Sequence, residues 1–351
     1  MITVDTYSSE WIHSLRTKLG KRIDPKMIEK VIYALSLLEQ LKVENLNLIF
    51  KGGTCLLLTS PTPTRFSIDI DIITEQNEVD ITTALEKIVQ KGVFTRWESD
   101  NDRKNAPEAP VSHYKVFYTS SVDNSFGDEP ILLDVLHTEN PYPKTINYPI
   151  EHSWLKTEGV SIGVEIPTYD SILGDKLTAF APKTTGILYT KERPVEIIKQ
   201  LYDLGFLFDQ ITEMPLVKAS YLKVVKEELL YRKLELTFSQ VLDDTIEACL
   251  KLAARNVEDE EHKHLLKGIT NIGNFIINRF KIEEAITAAG KIAYLSLLLK
   301  REGAIQPEKF TSPEQVKDIM IVTQQYNWLN KLKKSNPEAF FYWEKAIVLN
   351  A

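Results

Sequence analysis

Asp69-Ile70-Asp71 lies inside a β-branched run, Ile68 to Ile73. Residues two apart on an extended strand project to one face, so both carboxylates point together while Ile68, Ile70 and Ile72 fill the other. Two like charges held side by side repel, and each raises the other's pKa unless a cation is present. The cation such a pair suits is Mg²⁺ (or Mn²⁺), which takes one or two carboxylates together with phosphate oxygens. Alone, Asp-x-Asp equally describes a solvated strand edge, so its neighbours decide. Upstream, Lys51-Gly52-Gly53-Thr54 ends an apolar run and precedes the helix-like Cys55-Leu56-Leu57-Leu58. Consecutive glycines let backbone N–H groups approach phosphate oxygens, and a following helix N-terminus adds a favourable dipole. The bland alternative is an ordinary strand-to-helix turn. Downstream, Ile131-Leu132-Leu133-Asp134-Val135-Leu136 carries one carboxylate in apolar company. That is costly unless the group is paired, metal-bound or on a solvent-facing edge. Together the three segments offer a phosphate cradle, a paired ligand and a supporting ligand for a two-metal site.

A second constellation is helical. On a helix beginning near Asp170, Leu173, Leu177 and Phe180 form an apolar stripe with Lys176 at its flank. The lysine stem can lie on apolar surface while its ammonium reaches a cleft, where it would neutralise phosphate charge. Asp203 flanks Ile198, Leu201 and Phe206 on the next helix and suits either orienting Lys176 or binding nucleotide or acceptor. A structural Lys–Asp ion pair between packed helices fits the same spacing.

The elements that must position these residues alternate at first. Ile28, Val31, Ile32, Leu35 and Leu38 recur at helical spacing after Pro25, and Leu46 to Phe50 forms a short apolar strand. Residues 68–73 read as a strand, Ile81, Leu85 and Ile88 as a helix, and 93–98, 113–119 and 131–136 as strands. Residues 121–130 read as a loop. Beyond about residue 168 helical periodicity takes over, near 170–181, 191–207, 212–234, 238–255, 280–301, 312–322 and 337–348. The fold class is α+β, with a domain boundary expected near residue 208. The link Pro182 to Gly186 with Lys191-Glu192-Arg193 reads as a polar loop, lining a cleft or simply solvated.

Composition is that of an ordinary globular chain of 351 residues, 43% hydrophobic and 26% charged. A net charge of −7 argues against nonspecific coating of nucleic acid, although local basic surface can act on an acidic protein. Lys331, Lys333 and Lys334 form one basic cluster and Lys18, Lys21 and Arg22 another, each also readable as a solvated face. Two cysteines, Cys55 and Cys249, are too few for a disulfide framework or a cysteine zinc site. His262 and His264 sit in a charged stretch that reads as a solvated face. No apolar run approaches a membrane span, and Met1-Ile2-Thr3-Val4-Asp5 lacks a signal-peptide pattern, so a cytoplasmic protein without a membrane partner is expected.

Lys51-Gly52-Gly53-Thr54 followed by Arg65-Phe66-Ser67-Ile68-Asp69-Ile70-Asp71 resembles the first motif of the AbiE-type (AbiEii/AbiGii) nucleotidyltransferase toxins. These belong to the polymerase-β-like superfamily, whose hallmark is Gly-Gly or Gly-Ser followed by Asp-x-Asp on the next strand. The family's second signature is matched by Gly174-Asp175-Lys176-Leu177-Thr178-Ala179-Phe180 and Lys199-Gln200-Leu201-Tyr202-Asp203-Leu204. The resemblance covers residues 45–208 and departs at Lys199-Gln200, where many relatives carry Arg-Asp or Lys-Asp, so Gln200 is given no catalytic role.

The resemblance implies a polymerase-β-like core with a mixed sheet flanked by helices in residues 1–208, then an all-helical region in 209–351. It implies a metal-dependent transferase of an abortive-infection or toxin–antitoxin system that moves a nucleoside monophosphate from a nucleoside triphosphate to an acceptor hydroxyl, the tRNA 3′ end in some relatives. Asp69, Asp71 and Asp134 would hold the metal, with catalysis by these three, Lys176 and Asp203. Lys51, Gly52, Gly53, Thr54, Arg65, Ser67 and Lys176 would bind the nucleotide. A cognate antitoxin is implied. Tyr326, Trp328, Phe340, Phe341, Tyr342 and Trp343 fit either an RNA-stacking platform or core packing. Two rival readings are a transferase acting on a small-molecule or protein hydroxyl, and a non-catalytic interaction protein that keeps the fold.

Overall fold

The computed structural model describes residues 1–20, 22–101, 109–123, 125 and 127–350, so Lys21 of the second basic cluster lies outside it. The chain forms two compact units. The first comprises Met1–Asn140, Thr145–Pro167 and Asn274–Asn278; the second comprises Pro141–Lys144, Thr168–Gly273 and Arg279–Ala351.

The first unit is built on a seven-stranded mixed sheet. Its strands are β1 (Ile49–Lys51), β2 (Ile70–Thr74), β3 (Arg96–Ser99), β4 (Val111–Tyr118), β5 (Glu129–His137), β6 (Thr145–Pro149) and β7 (Gly163–Pro167), in the order β3-β4-β5-β2-β1-β7-β6. β1 runs parallel to β7 and β2 parallel to β5; the other neighbours are antiparallel. Four helices belong here: α1 (Ser9–Leu19), α2 (Pro25–Val43), α3 (Gly52–Thr59) and α4 (Glu78–Gln90). Pro25 opens α2 while Asp24 caps the amide of Lys26, and α2 buries a run from Val31 to Leu38 because it packs on β2, β5 and neighbouring helices. Asn77 and Asp80 close a reciprocal capping box on α4. Along β5, Ile131, Leu133 and Val135 are buried while Leu132, Asp134 and Leu136 are only half-buried, which is the period-2 pattern of a strand.

β6 and β7 carry no strand signal strong enough to read: both are short, and more than half of their residues are polar, proline or glycine. They exist because β7 finds β1, with Ile49 opposite Glu165. The expected strand 68–73 starts later, at Ile70, because the Thr54 hydroxyl takes the Asp69 carbonyl (2.5 Å) that a ladder bond would otherwise use. Only Asp71 of the pair lies within the strand.

The second unit is helical: α5 (Tyr169–Ala179), α6 (Pro194–Asp209), α7 (Met214–Tyr231), α8 (Phe238–Ala254), α9 (Glu260–Asn271), α10 (Ile282–Lys300), α11 (Leu332–Ser335) and α12 (Pro337–Asn350). α5 and α6, which the sequence reading groups with the N-terminal domain, pack here on α7, α9 and α10. Gly174 lets α5 lie close against α7, since a Cβ there would collide with the Val217 carbonyl and the Tyr221 amide. Cys55 and Cys249 are both buried. Among the described residues, no helix is long and apolar enough to cross a membrane.

Two expectations fail in this unit. The stretch holding His262 and His264 is no solvated face: it is amphipathic α9, capped by Asp259, with His262 2% exposed and its Nδ1 against the Lys251 carbonyl at 3.0 Å. The expected helix at 312–322 shrinks to a single 3₁₀ turn, Pro313–Val316. Beyond it, side chains take the backbone groups that a helix would pair. Asn330 bonds both the N–H (3.0 Å) and the C=O (2.9 Å) of Ile321, and Lys333 Nζ donates to the Ile319 carbonyl at 2.9 Å.

Candidate active site

In the first unit one row of paired residues crosses four adjacent strands. Lys51 on β1 lies opposite Asp71 on β2, Asp71 beside Asp134 on β5, and Asp134 opposite His113 on β4. Directly paired residues share a sheet face, so the row alternates cation, two carboxylates and imidazole on one surface. His113 Nδ1 meets Asp134 Oδ1 at 2.8 Å. An ionised carboxylate only accepts, so in that state Nδ1 carries the hydrogen and Nε2 is left as the acceptor of a neutral ring. The imidazole thereby fixes how the Asp134 carboxylate is turned. The Asp134 side chain keeps 30% of its exposure against 11% for His113, which marks the carboxylate as the more accessible partner.

The glycine turn stands against this row. Gly52 has φ +81°, in the left-handed region that favours glycine, and a Cβ there would fall inside the Asp71 carboxylate. A Cβ on Gly53 would lie 2.5 Å from both Arg65 Nη2 and Ser67 Oγ. The glycines thus let the first turn of α3 sit directly on Asp71, Arg65 and Ser67. This gathers N–H groups, a guanidinium and a hydroxyl, the donors an anion needs at a helix N-terminus. The Thr54–Asp69 bond fastens the same turn to the residue before β2.

Arg65 and Ser67 are held by features the sequence reading does not find. Phe66 between them is buried, its ring 5.5 Å from Trp154, and its amide donates to Phe275 O at 2.7 Å. Ile277 N returns a bond to Thr64 O at 2.8 Å, so residues 274–278 pair with the segment that presents Arg65. Arg65 Nη1 folds back onto the Phe66 carbonyl at 2.7 Å, setting the guanidinium's orientation.

His113 is also missed by sequence reasoning. Its signal is faint: Tyr114, Val116 and Tyr118 claim one face of β4, which leaves His113 on the other face, and only the register shows that Asp134 is its partner. Among the described residues, no group of three or more His, Cys, Asp and Glu side chains is closed up as a ready metal cage. The donors fit Mg²⁺ in another way. Asp71 and Asp134 offer hard oxygens from adjacent strands beside a phosphate cradle, and Mg²⁺ is commonly held by one or two carboxylates with substrate phosphates and waters completing its shell.

In the second unit Lys176 Nζ lies 2.8 Å from Asp203 Oδ2, and both side chains are buried. Gln200 Oε1 accepts from the same ammonium at 3.2 Å, one helical turn from Asp203 on α6. Gln200, given no catalytic role, therefore positions Lys176. Beside them Tyr142 Oη donates to Asp175 Oδ2 at 2.6 Å. The link after α5 is pinned: Asp244 Oδ2 accepts from Lys183 N and Thr184 Oγ1, each at 2.8 Å, and Lys183 Nζ reaches Glu247 and Glu261. Burial raises the Asp244 pKa.

A family model described as the AbiEii nucleotidyl transferase toxin of type IV toxin–antitoxin systems matches residues 36–276, and the chain belongs to that family. No curated protein matches it significantly. Two solved structures resemble it in outline. One is described as a candidate nucleotidyltransferase from H. pylori, 15% identical, covering 78% of this chain and 92% of that one, with a TM-score of 0.42. The other is JHP933 from Helicobacter pylori, 16% identical, covering 79% and 93%, with a TM-score of 0.42.

Proposed function

We propose that this member of a nucleotidyltransferase toxin family transfers a nucleoside monophosphate from a nucleoside triphosphate to the 3′-terminal hydroxyl of tRNA. The observation that carries the chemistry is the Asp71–Asp134 pair set against the Gly52–Gly53 turn. The amides of that turn, with Ser67, Arg65 and Lys51, bind the β and γ phosphates. Asp69, Asp71 and Asp134 would hold Mg²⁺ (or Mn²⁺), which when bound supplies charge neutralisation at the reacting phosphate. His113 keeps Asp134 turned for that task. The acceptor hydroxyl attacks the α-phosphorus in line; the new O–P bond forms as the bond to pyrophosphate breaks, and one proton is released. Positioning and charge account for most of the acceleration, as in other phosphoryl transfers. Lys176 is assigned to the departing pyrophosphate by the family resemblance, with Asp203 and Gln200 orienting its ammonium.

Family membership supports a cognate antitoxin encoded for this toxin. The deciding experiment incubates the purified chain with each α-³²P-labelled triphosphate, Mg²⁺ and total bacterial tRNA, beside Asp71→Asn. Label in tRNA with the wild type alone is the expected result and identifies the nucleotide. Label in a small molecule or protein instead would keep the transfer and replace the acceptor. No transfer and no triphosphate binding would leave an interaction protein.

A further inference from the structure

The aromatic residues of the C-terminal region fall into two groups. Phe340, Phe341, Tyr342 and Trp343 are core, none more than 2% exposed. Tyr326 ends the irregular stretch that follows the lost helix and Trp328 lies on the 3₁₀ turn after it, Asn327–Lys331; both remain half-exposed. That segment is held shut. Asn330 bonds Ile321 through both its oxygen and its nitrogen and also reaches the Asn327 carbonyl at 2.8 Å, while Lys333 ties down Ile319. Trp328 gives its indole N–H to the Gln325 carbonyl at 3.0 Å, so its polar edge is satisfied and its face is what remains to offer. Lys331 Nζ lies 5.5 Å from the centre of that ring.

The charge of this segment is unlike that of its surroundings. The chain carries a net −7, yet residues 319–337 contain no Asp or Glu and three lysines. Lys183, Lys251, Lys291, Lys300 and Lys345 of the same unit each meet a carboxylate. Among the described residues, none lies within ion-pair distance of Lys331, Lys333 or Lys334, and Lys331 and Lys334 are exposed.

We propose that this closed segment, running from the irregular stretch through the 3₁₀ turn into α11, is a docking surface for single-stranded RNA, with Tyr326 and Trp328 stacking on bases and Lys331 and Lys334 meeting phosphates. The proposal rests on the reading that RNA is the acceptor and says which surface grips it. Flat rings on a preorganised segment, flanked by cations without carboxylate partners, are what a single strand requires, since every base has a face to stack and every linkage a charge. Exposed Met320 and Val322 belong to the same stretch and would also suit a lipid surface. The bonded indole N–H argues against that, because a tryptophan at a membrane interface keeps its polar edge for the headgroup level.

The test titrates a fluorescein-labelled single-stranded RNA ending in CCA with the full chain, by anisotropy, over a series of salt concentrations. Trp328→Ala is expected to weaken binding roughly 5- to 150-fold, the range of losing one stacking ring, with Trp328→Phe recovering most of it. Lys331→Gln and Lys334→Gln should each lower the salt slope by about 0.7. All variants should melt with the wild type, as their side chains bear little of the core. In the transfer assay, Trp328→Ala should raise the KM for tRNA and leave kcat and the triphosphate KM unchanged. Asp71→Asn should stop turnover and leave RNA binding intact. Wild-type RNA affinity in all the segment variants would overturn the docking surface, as would binding to phosphatidylglycerol vesicles that RNA cannot displace. Transfer with an unchanged tRNA KM in Trp328→Ala would overturn it too, while keeping the acceptor. RNA binding that depends on Trp328, with no label transferred by the wild type, would keep the surface and discard the acceptor reading.

Discussion

The Lys51–Asp71–Asp134–His113 row and the Lys176–Asp203 pair both set carboxylates against cations, one on a strand face beside a glycine turn, the other buried between two helices. In the row, solvent still reaches Asp134, and glycine is required at position 52 for Asp71 to sit where it does. In the pair, the ammonium and carboxylate are mutually satisfied, with Gln200 as a further acceptor. Asp134 of the row stays open to solvent, so if the row is the proposed site, neutralising one of its members should cost function before it costs the fold. The pair has been desolvated, so removing one partner leaves a buried charge and should cost the fold as well.

The largest effect expected is on turnover at the row. Asp71→Asn should lower transfer by at least on the order of 10³, as losing a key electrostatic group at a phosphoryl site does, while the melting temperature stays within about 2 °C. Calorimetry beside the label assay checks this, and a large loss of stability would make the carboxylate structural. Next, Asp203→Ala should cost about 3–5 kcal/mol in chemical denaturation, because Lys176 would be left unpaired. The double substitution Lys176→Met with Asp203→Leu sharpens the contrast. It should regain most of that stability, and transfer that stays lost would show that Lys176 does more than hold helices together. Gly52→Ala tests the junction of turn and row, since it meets both an unfavourable φ and the Asp71 carboxylate. A destabilisation of about 1–3 kcal/mol with loss of triphosphate binding is expected.

The smallest effect concerns a half-buried group in the first unit. Burial pulls the His152 pKa down to about 4, its ring edge-on to Trp154 at 5.0 Å. The unfolded chain then takes up a proton below about 6.5 that the fold refuses until about 4. Stability is therefore full above that window and falls as pH drops through it, by at most about 2 kcal/mol between pH 6.5 and pH 5. Denaturation midpoints at both pH values should show the slope in the wild type and lose it in His152→Gln. A slope that survives would place the titrating group elsewhere.

Much of this was readable in the residues. The alternation of Ile131, Leu133 and Val135 against Asp134 marks a strand with one carboxylate turned outward, and Pro25 after Asp24 marks a helix start, because both signals are local. β6 and β7 escaped because their pairing, rather than their composition, makes them strands. The helical period at 312–322 misled because the side chains of Asn330 and Lys333, nine and fourteen residues downstream of their partners, compete for the same backbone groups. His113, Phe66 and Gln200 gained their meaning only from the partners the fold brought to them.

By itself, the sequence pointed to the residues proposed for phosphate chemistry and set the order in which they come: a glycine turn, two aspartates two apart, and a third further along the chain. Side-chain chemistry and backbone freedom belong to the residue, so they can be read without a fold. Tertiary structure decided the register that sets Asp71 beside Asp134, the imidazole that turns Asp134, and the 3₁₀ turn that leaves Trp328 half-exposed. These depend on hydrogen bonds between distant segments, and such pairings are settled only when the whole chain has packed.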